Sequence, residues 1–255
     1  MRLSDRLETV VSMVRPAESA ADIGTDHGHV PVELVRRGTI KRALAMDVRK
    51  GPLSRAEESV AMAGLENRIE TRLSDGLEKL SPGEAEAVVI AGMGGELMIH
   101  ILEQGRHMWD SVGQWILSPQ SEIPKMRKWL WDNGFPVEKE EMVFEDGKFY
   151  TILSVGRKRE DDREERPERF FYYSQYLIDA KDPVFLKYLK EEEEKLCSLA
   201  ESLGPLGAHS ERAAAKKREA EEDLRYNREV QNEMQGDHKY TGDVYKRQSF
   251  LVALP

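Results

Sequence analysis

Residues Ala87–Ala91 read AVVIA and open directly into Gly-Met-Gly-Gly. No polar residue alternates within that run, so neither face of such a strand is written to meet water. A strand apolar on both faces belongs inside a parallel sheet that helices cover on each side. The rest of the first 157 residues repeats the theme. "SAADIG" (19–24), "RALAMDV" (42–48), "RIETRLSDG" (68–76) and "QWILSPQ" (114–120) read as strands. They alternate with segments of helical periodicity: "HVPVELVRRG" (29–38), "GPLSRAEESVAMAGL" (51–65), "ELMIHILEQG" (96–105) and "EIPKMRKWLWDNGF" (122–135). An amphipathic helix over Leu3–Val14 precedes them. Pro52 falls in a first helical turn, where its missing N–H costs nothing. Asp146-Gly147 divides 137–156 into two strands, a hairpin signal. Alternating β and α followed by a hairpin predicts a parallel sheet whose last strand runs antiparallel. Seven strands result.

From about Lys158 the strand signals stop. "FFYYSQYLIDAKD" predicts one helix. A second starts at Pro183, with Phe185, Leu189, Leu196, Leu199 and Leu203 along one side. A third runs from about Ser210 to Gln235. The break at Gly204-Pro205-Leu206-Gly207 predicts an antiparallel, coiled-coil-like pair. Three regions follow: an α/β domain over 1–157, a helical domain over 158–236, and a tail over 237–255 that fits neither pattern and reads as foreign sequence.

Several classes fall away. Cys197 is alone, so no disulfide framework or cysteine metal site is available. The "HGH" of His27 and His29 has no third ligand nearby, so no metal is expected. No apolar stretch approaches the ~20 residues that span a bilayer. A cytoplasmic monomer is the expectation. The net charge of −9 does not advertise a nucleic-acid binder, but local patches outweigh the sum.

Ligands of an open parallel sheet sit outside the carboxyl ends of its strands. Those ends carry Asp22, Gly24, Asp26 and His27 from the first strand, and Asp47 and Val48 from the second. The third gives Asp75 and Gly76, the fourth Ala91, Gly92, Met93, Gly94 and Gly95, and the fifth Ser118, Pro119 and Gln120. Each acid alone also reads as a helix N-cap. Together they describe a nucleoside pocket. Gly24 lets the chain turn against the ligand, Asp47 accepts ribose hydroxyls, and Asp75-Gly76 makes room for an adenine. Where a dinucleotide fingerprint has its second glycine, this chain has Asp26. A carboxylate there repels a pyrophosphate but welcomes the sulfonium and ammonium of S-adenosyl-L-methionine. The small residues of "AGMGG" offer space without an amide clamp, which suits a ring nitrogen as methyl acceptor.

"ADIGTDHGHVP", "AMDVRKGPLSRAEESV", "SDGLE", "VVIAGMGGELMIHIL" and "LSPQSEIPKMRKWLWDNGF" occur in that order between Leu3 and Gly156. In order and spacing they resemble the bacterial tRNA (adenine-22-N1)-methyltransferase family. The helical appendage is similar to that family's C-terminal domain. His29 and "LSPQS" depart from the family's pattern. The resemblance implies a class I, Rossmann-like methyltransferase sheet with a helical coiled-coil domain. It also implies S-adenosyl-L-methionine as methyl donor and N1 of an adenine in tRNA as acceptor. Asp26, His27 and Met93 are the expected lining of the reacting centre. For tRNA, Arg36, Arg37, Lys41 and Arg42, then Arg49, Lys50 and Arg55, then Lys125, Arg127 and Lys128 are the expected cations, with Lys216, Lys217 and Arg218 on the appendage. Methylation of another RNA, a protein or a small molecule, and non-catalytic RNA binding, remain open alternatives.

Overall fold

A computed structural model describes residues 3–158, 166, 168–207 and 210–236. The chain divides into two compact units, 1–177 and 178–255. The expected foreign tail lies outside the described residues.

In the first unit, α1 (Asp5–Met13) leads into β1 (Ala17–Ile23), α2 (His29–Arg36), β2 (Ile40–Asp47), α3 (Lys50–Met62) and β3 (Ile69–Leu73). Then come β4 (Ala87–Met93), α4 (Gly95–Gln104), β5 (Gln114–Pro119), α5 (Ile123–Asp132), β6 (Val137–Glu145) and β7 (Lys148–Val155). The seven strands form one sheet in the order β3-β2-β1-β4-β5-β7-β6. The first five are mutually parallel and β7 pairs antiparallel to β5. Asp146 and Gly147 both have positive φ, 49° and 76°, as a two-residue type I′ hairpin turn requires.

The apolar run of β4 is buried as its composition demands, and its residues alternate between two cores. Val88 and Ile90 face a core with Met98 and Leu102 of α4 and Met126 and Leu130 of α5. Ala87 and Val89 face the opposite core, with Val10 and Val11 of α1, Leu34 and Val35 of α2, and Val60 of α3. Full burial of each such valine, leucine, isoleucine or methionine contributes about 1.5–3 kcal/mol. With both faces covered, the parallel strands can display polar groups only at their ends, and this creates a site there. Strand order reverses between β1 and β4, and in open parallel sheets the crevice for a ligand lies outside the carboxyl ends at such a reversal.

The segment expected as one helix over Phe170–Asp182 is instead a 3₁₀ turn at Glu168–Phe171 and a short helix, α6 (Gln175–Asp179). Their aromatic residues belong to a cluster in which Phe170 meets the Trp131 ring at 5.8 Å. Side-chain packing has overridden helical periodicity.

The second unit holds α7 (Pro183–Gly207) and α8 (Glu211–Gln235). Only three residues separate the end of α7 from the start of α8, so the two helices can pack against each other only antiparallel. Between them Leu189 bonds Asn227, and Glu193 bonds Arg228 and Gln231. The break expected at 204–207 falls later, because α7 runs through Gly207 and Ser210 caps α8. Leu199 is exposed rather than on the seam, and Ala200 is buried there instead. Asn227 is wholly buried. Its Nδ2 donates to the Leu189 carbonyl and to Glu192, which makes the seam polar where a heptad would be apolar.

Candidate active site

The strand ends β1 to β5 enclose a cleft of about 560 Å³. The turn after β1 is tied to β2 by bonds from the Gly24 and Thr25 amides to the Met46 carbonyl, at 2.7 and 2.9 Å. Gly24 has φ 76°, and a Cβ there would lie 1.9 Å from Met93 Cε. The Met93 side chain therefore lies across Gly24. His27 and Gly28 are both left-handed, at φ 61° and 64°, and the turn passes close enough to α3 that a Gly28 Cβ would sit 3.2 Å from Ala56.

Asp22, Gly24, Asp26 and His27 all line this cleft, as do Asp47, Val48, Asp75 and Gly76 from β2 and β3. Ala91, Gly92 and Met93 line it from β4. These eleven residues are thus gathered in one cleft, whereas Gly94, Gly95, Ser118 and Pro119, which lie at the same strand ends, are not among its lining residues. Asp47 is buried, and its Oδ1 accepts from the Arg49 amide at 2.7 Å, which orients the carboxylate. Gly76 has φ 49°, and a Cβ there would crowd the Ile101 side chain at 3.1 Å.

Charge is unevenly distributed. Asp26 is exposed and paired with Arg55 at 2.6 Å, and that hydrogen bond holds its carboxyl below the ordinary range. Asp22 is buried, and among the described residues no cation pairs with it. Burial pushes its carboxyl up to about 6, against the pull of the Thr25 hydroxyl and with a smaller push from Asp47. The His29 ring stacks on His27 at 5.3 Å. Burial and the neighbouring His27 push its imidazole down, with Asp26 opposing.

The Asp22 shift has a sign. Its folded-state value lies above the unfolded ~3.9, so between about pH 4 and 6 the folded state holds the extra proton. Asp22 therefore makes the ligand-free protein less stable as pH rises through that window, by on the order of 2–3 kcal/mol. Asp22→Asn is expected to raise the melting temperature at pH 7.5. It should also flatten the difference between pH 4.5 and pH 7, measured by thermal unfolding.

The cleft also has walls that the sequence reading left out: Arg6 and Leu7 from α1, and Leu97 and Ile101 from α4. Helical periodicity assigned those helices to cover the sheet and gave no sign that their ends overhang the strand tips. Arg49, expected to serve tRNA, lines the cleft as well.

The other expected cations divide. Arg127 is a correction: it is buried and ion-paired to Glu140, itself 2% exposed, and it donates to the carbonyls of Phe171 and Tyr172. It is a packing residue, closed to tRNA. Arg37 is held between Glu8 and Glu33, Lys125 by Glu96, Lys128 by Asp132 and Lys217 by Glu221. Arg36, Lys50, Lys216 and Arg218 are exposed or on exposed faces and have no ion-pair partner among the described residues.

Known proteins place this geometry. A methyltransferase-domain family model matches residues 3–153. The tRNA (adenine(22)-N(1))-methyltransferase of Bacillus subtilis (strain 168) is 33% identical over 208 residues, covering 80% of this chain and 86% of that protein. The crystal structure of the B. subtilis m1A22 tRNA methyltransferase superposes with a TM-score of 0.79 at 31% identity, over 90% of this chain and 99% of that one. A Streptococcus pneumoniae protein solved in complex with S-adenosyl-L-methionine gives 0.78 at 32% identity, over 90% and 100%. Sequence and fold agree over nearly the whole described length, and the chain belongs to the tRNA (adenine(22)-N(1))-methyltransferase family.

Proposed function

We infer that this protein methylates N1 of adenine 22 in tRNA with S-adenosyl-L-methionine as donor. The observation that carries the reading is Asp22, a buried carboxyl with no cation beside it among the described residues, in the cleft at the strand ends. Such a group calls for a cationic ligand. The donor's ammonium meets that need, and a pyrophosphate does not. Asp47 would hold the ribose hydroxyls, and Asp75 with Gly76 the adenine. Bound there, the donor supplies an electrophilic methyl group.

Adenine N1 attacks through a lone pair, so no side chain is required as a base. The residues contribute mainly by positioning the acceptor. Met93, lying across Gly24, shapes the floor between donor and acceptor. Asp26 and His27 stand at the rim of the same cleft. The acceptor ring becomes cationic, which favours carboxylates around it. The adenine must first be unpaired and turned outward, at a few kcal/mol. Among the described residues no helix is long and apolar enough to cross a membrane, and a tRNA substrate supports a cytoplasmic enzyme.

The test is methyl transfer to unmodified tRNA followed by nucleoside mapping. Label on adenine 22 as 1-methyladenosine is expected, and label elsewhere would end this reading. Raised salt should weaken tRNA binding, with log affinity falling by roughly 0.7–0.9 per phosphate contact against log salt. Donor affinity should barely change. Arg36, Lys50, Lys216 and Arg218 are the proposed contributors, because their charge is not already spent on a neighbouring carboxylate. Salt-independent tRNA affinity would remove that assignment.

A further inference from the structure

In β4, Ala91 pairs with Ser118 and Met93 pairs with Pro119, so Gly92 is an extra residue bulged out of the ladder. Bulges of this kind re-aim a strand end beside a site. Gly92 has φ 80° and is exposed to the cleft. Two polar side chains converge over it from different elements. Arg6 Nη1 of α1 and Gln120 Nε2 beyond β5 each stand 3.9 Å from where a Gly92 Cβ would be. The bare glycine is the floor of a slot, and these two side chains are its walls.

Both walls are held in place. The Gln120 amide donates to the Met93 carbonyl at 2.9 Å, so its backbone is pinned while its side chain stays exposed. The Arg6 amide donates to Glu145 at 3.3 Å, and its guanidinium lies 5.3 Å from the Tyr150 ring centroid. No carboxylate pairs with the Arg6 guanidinium among the described residues, so its charge is available to a ligand.

We propose that this slot receives the acceptor adenine, with the Gln120 carboxamide reading its N6/N7 edge and Arg6 holding the phosphate of the same nucleotide. The proposal rests on the methyl-transfer reading above and adds what selects the base. A carboxamide can accept from the adenine N6 amino group and donate to N7 at once. That pairing uses the Hoogsteen edge and leaves the N1 lone pair free to attack. It also discriminates against guanine, whose O6 and N7 offer two acceptors. Arg6 suits the anionic phosphate of that nucleotide, which its planar guanidinium can hold through two hydrogen bonds.

The experiment pairs two enzymes, wild type and Gln120→Ala, with two tRNAs carrying adenosine or 7-deazaadenosine at position 22. Comparing both enzymes cancels the intrinsic change in N1 reactivity. With wild type, loss of N7 is expected to lower kcat/KM about tenfold more than it does with Gln120→Ala. An equal change in both enzymes would overturn the Gln120 role. So would a loss of donor affinity in Gln120→Ala, since that would place the side chain on the donor's half of the cleft. Arg6→Ala is expected to raise KM for tRNA and to cut the salt slope by roughly 0.7–0.9; an unchanged slope overturns the phosphate role. Failure of the underlying activity looks different, because wild type would then put no methyl group on N1 of unmodified tRNA.

Discussion

Asp47→Ala is expected to weaken S-adenosyl-L-methionine binding by about two orders of magnitude. Hydrogen bonds to a charged group contribute roughly 1.5–3 kcal/mol each, and a ribose offers two hydroxyls, so about 2.7 kcal/mol is a conservative loss. The carboxylate is buried and oriented by the Arg49 amide. It therefore needs little rearrangement to bind, and water replaces it poorly. Asp47→Asn keeps an oxygen for that amide and should fall between wild type and alanine. Titration calorimetry with the donor separates the three proteins, and tRNA affinity serves as the control. Unchanged donor affinity in Asp47→Ala would end the ribose assignment.

Arg127→Ala is expected to cost stability rather than tRNA affinity. It would strand Glu140, 2% exposed, without its ion-pair partner, and leave the carbonyls of Phe171 and Tyr172 with one donor fewer. Breaking a buried pair from one side costs about 3–5 kcal/mol. In a unit of this size that lowers the melting temperature by roughly 10 °C. Replacing both Arg127 and Glu140 by apolar residues of similar volume should recover much of the loss, because no buried charge is then left alone. If the double replacement were as damaging as the single one, the pair would not be the cause. The salt slope of tRNA binding should be the same in the single variant and the wild type.

Arg127 also shows what a sequence hides. "KMRK" reads as a cationic helix face, yet the helix turns Lys125 and Lys128 outward and Arg127 inward with Met126. Period alone does not say which cation meets a buried glutamate from a strand thirteen residues on. The strand-end acids were legible for the opposite reason. A parallel sheet covered on both faces can expose function only at its tips, so a list of tip residues is nearly a list of cleft residues. Arg6 was hidden because it precedes the first strand, and its place in the site depends on how α1 lies across the sheet. The seven strands could be read from local pattern, since every apolar run but that of β5, which ends at Ser118-Pro119-Gln120, ends at glycine or an acid. The pieces around Phe170 could not, because aromatic contacts with Trp131, made across the fold, set their shape. On the appendage, Leu199 failed as a seam residue because the seam is built on Asn227 and Gln231 as well as on leucine.

The order β3-β2-β1-β4-β5-β7-β6 leaves β3 and β6 as the margins of the sheet. Such a margin carries unpaired backbone donors and acceptors and can recruit a strand from another molecule. Here both margins are costly to dock against. The exposed Glu70 and its partner Arg72 lie on β3, while Glu138, Lys139 and Glu141 lie on β6. The β6 ladder also slips between Val137 and Lys139, which interrupts any regular template. An incoming strand would have to strip water from these charges without a matching register. The charges on both margins and the slipped register of β6 thus work against edge-to-edge pairing of the sheet.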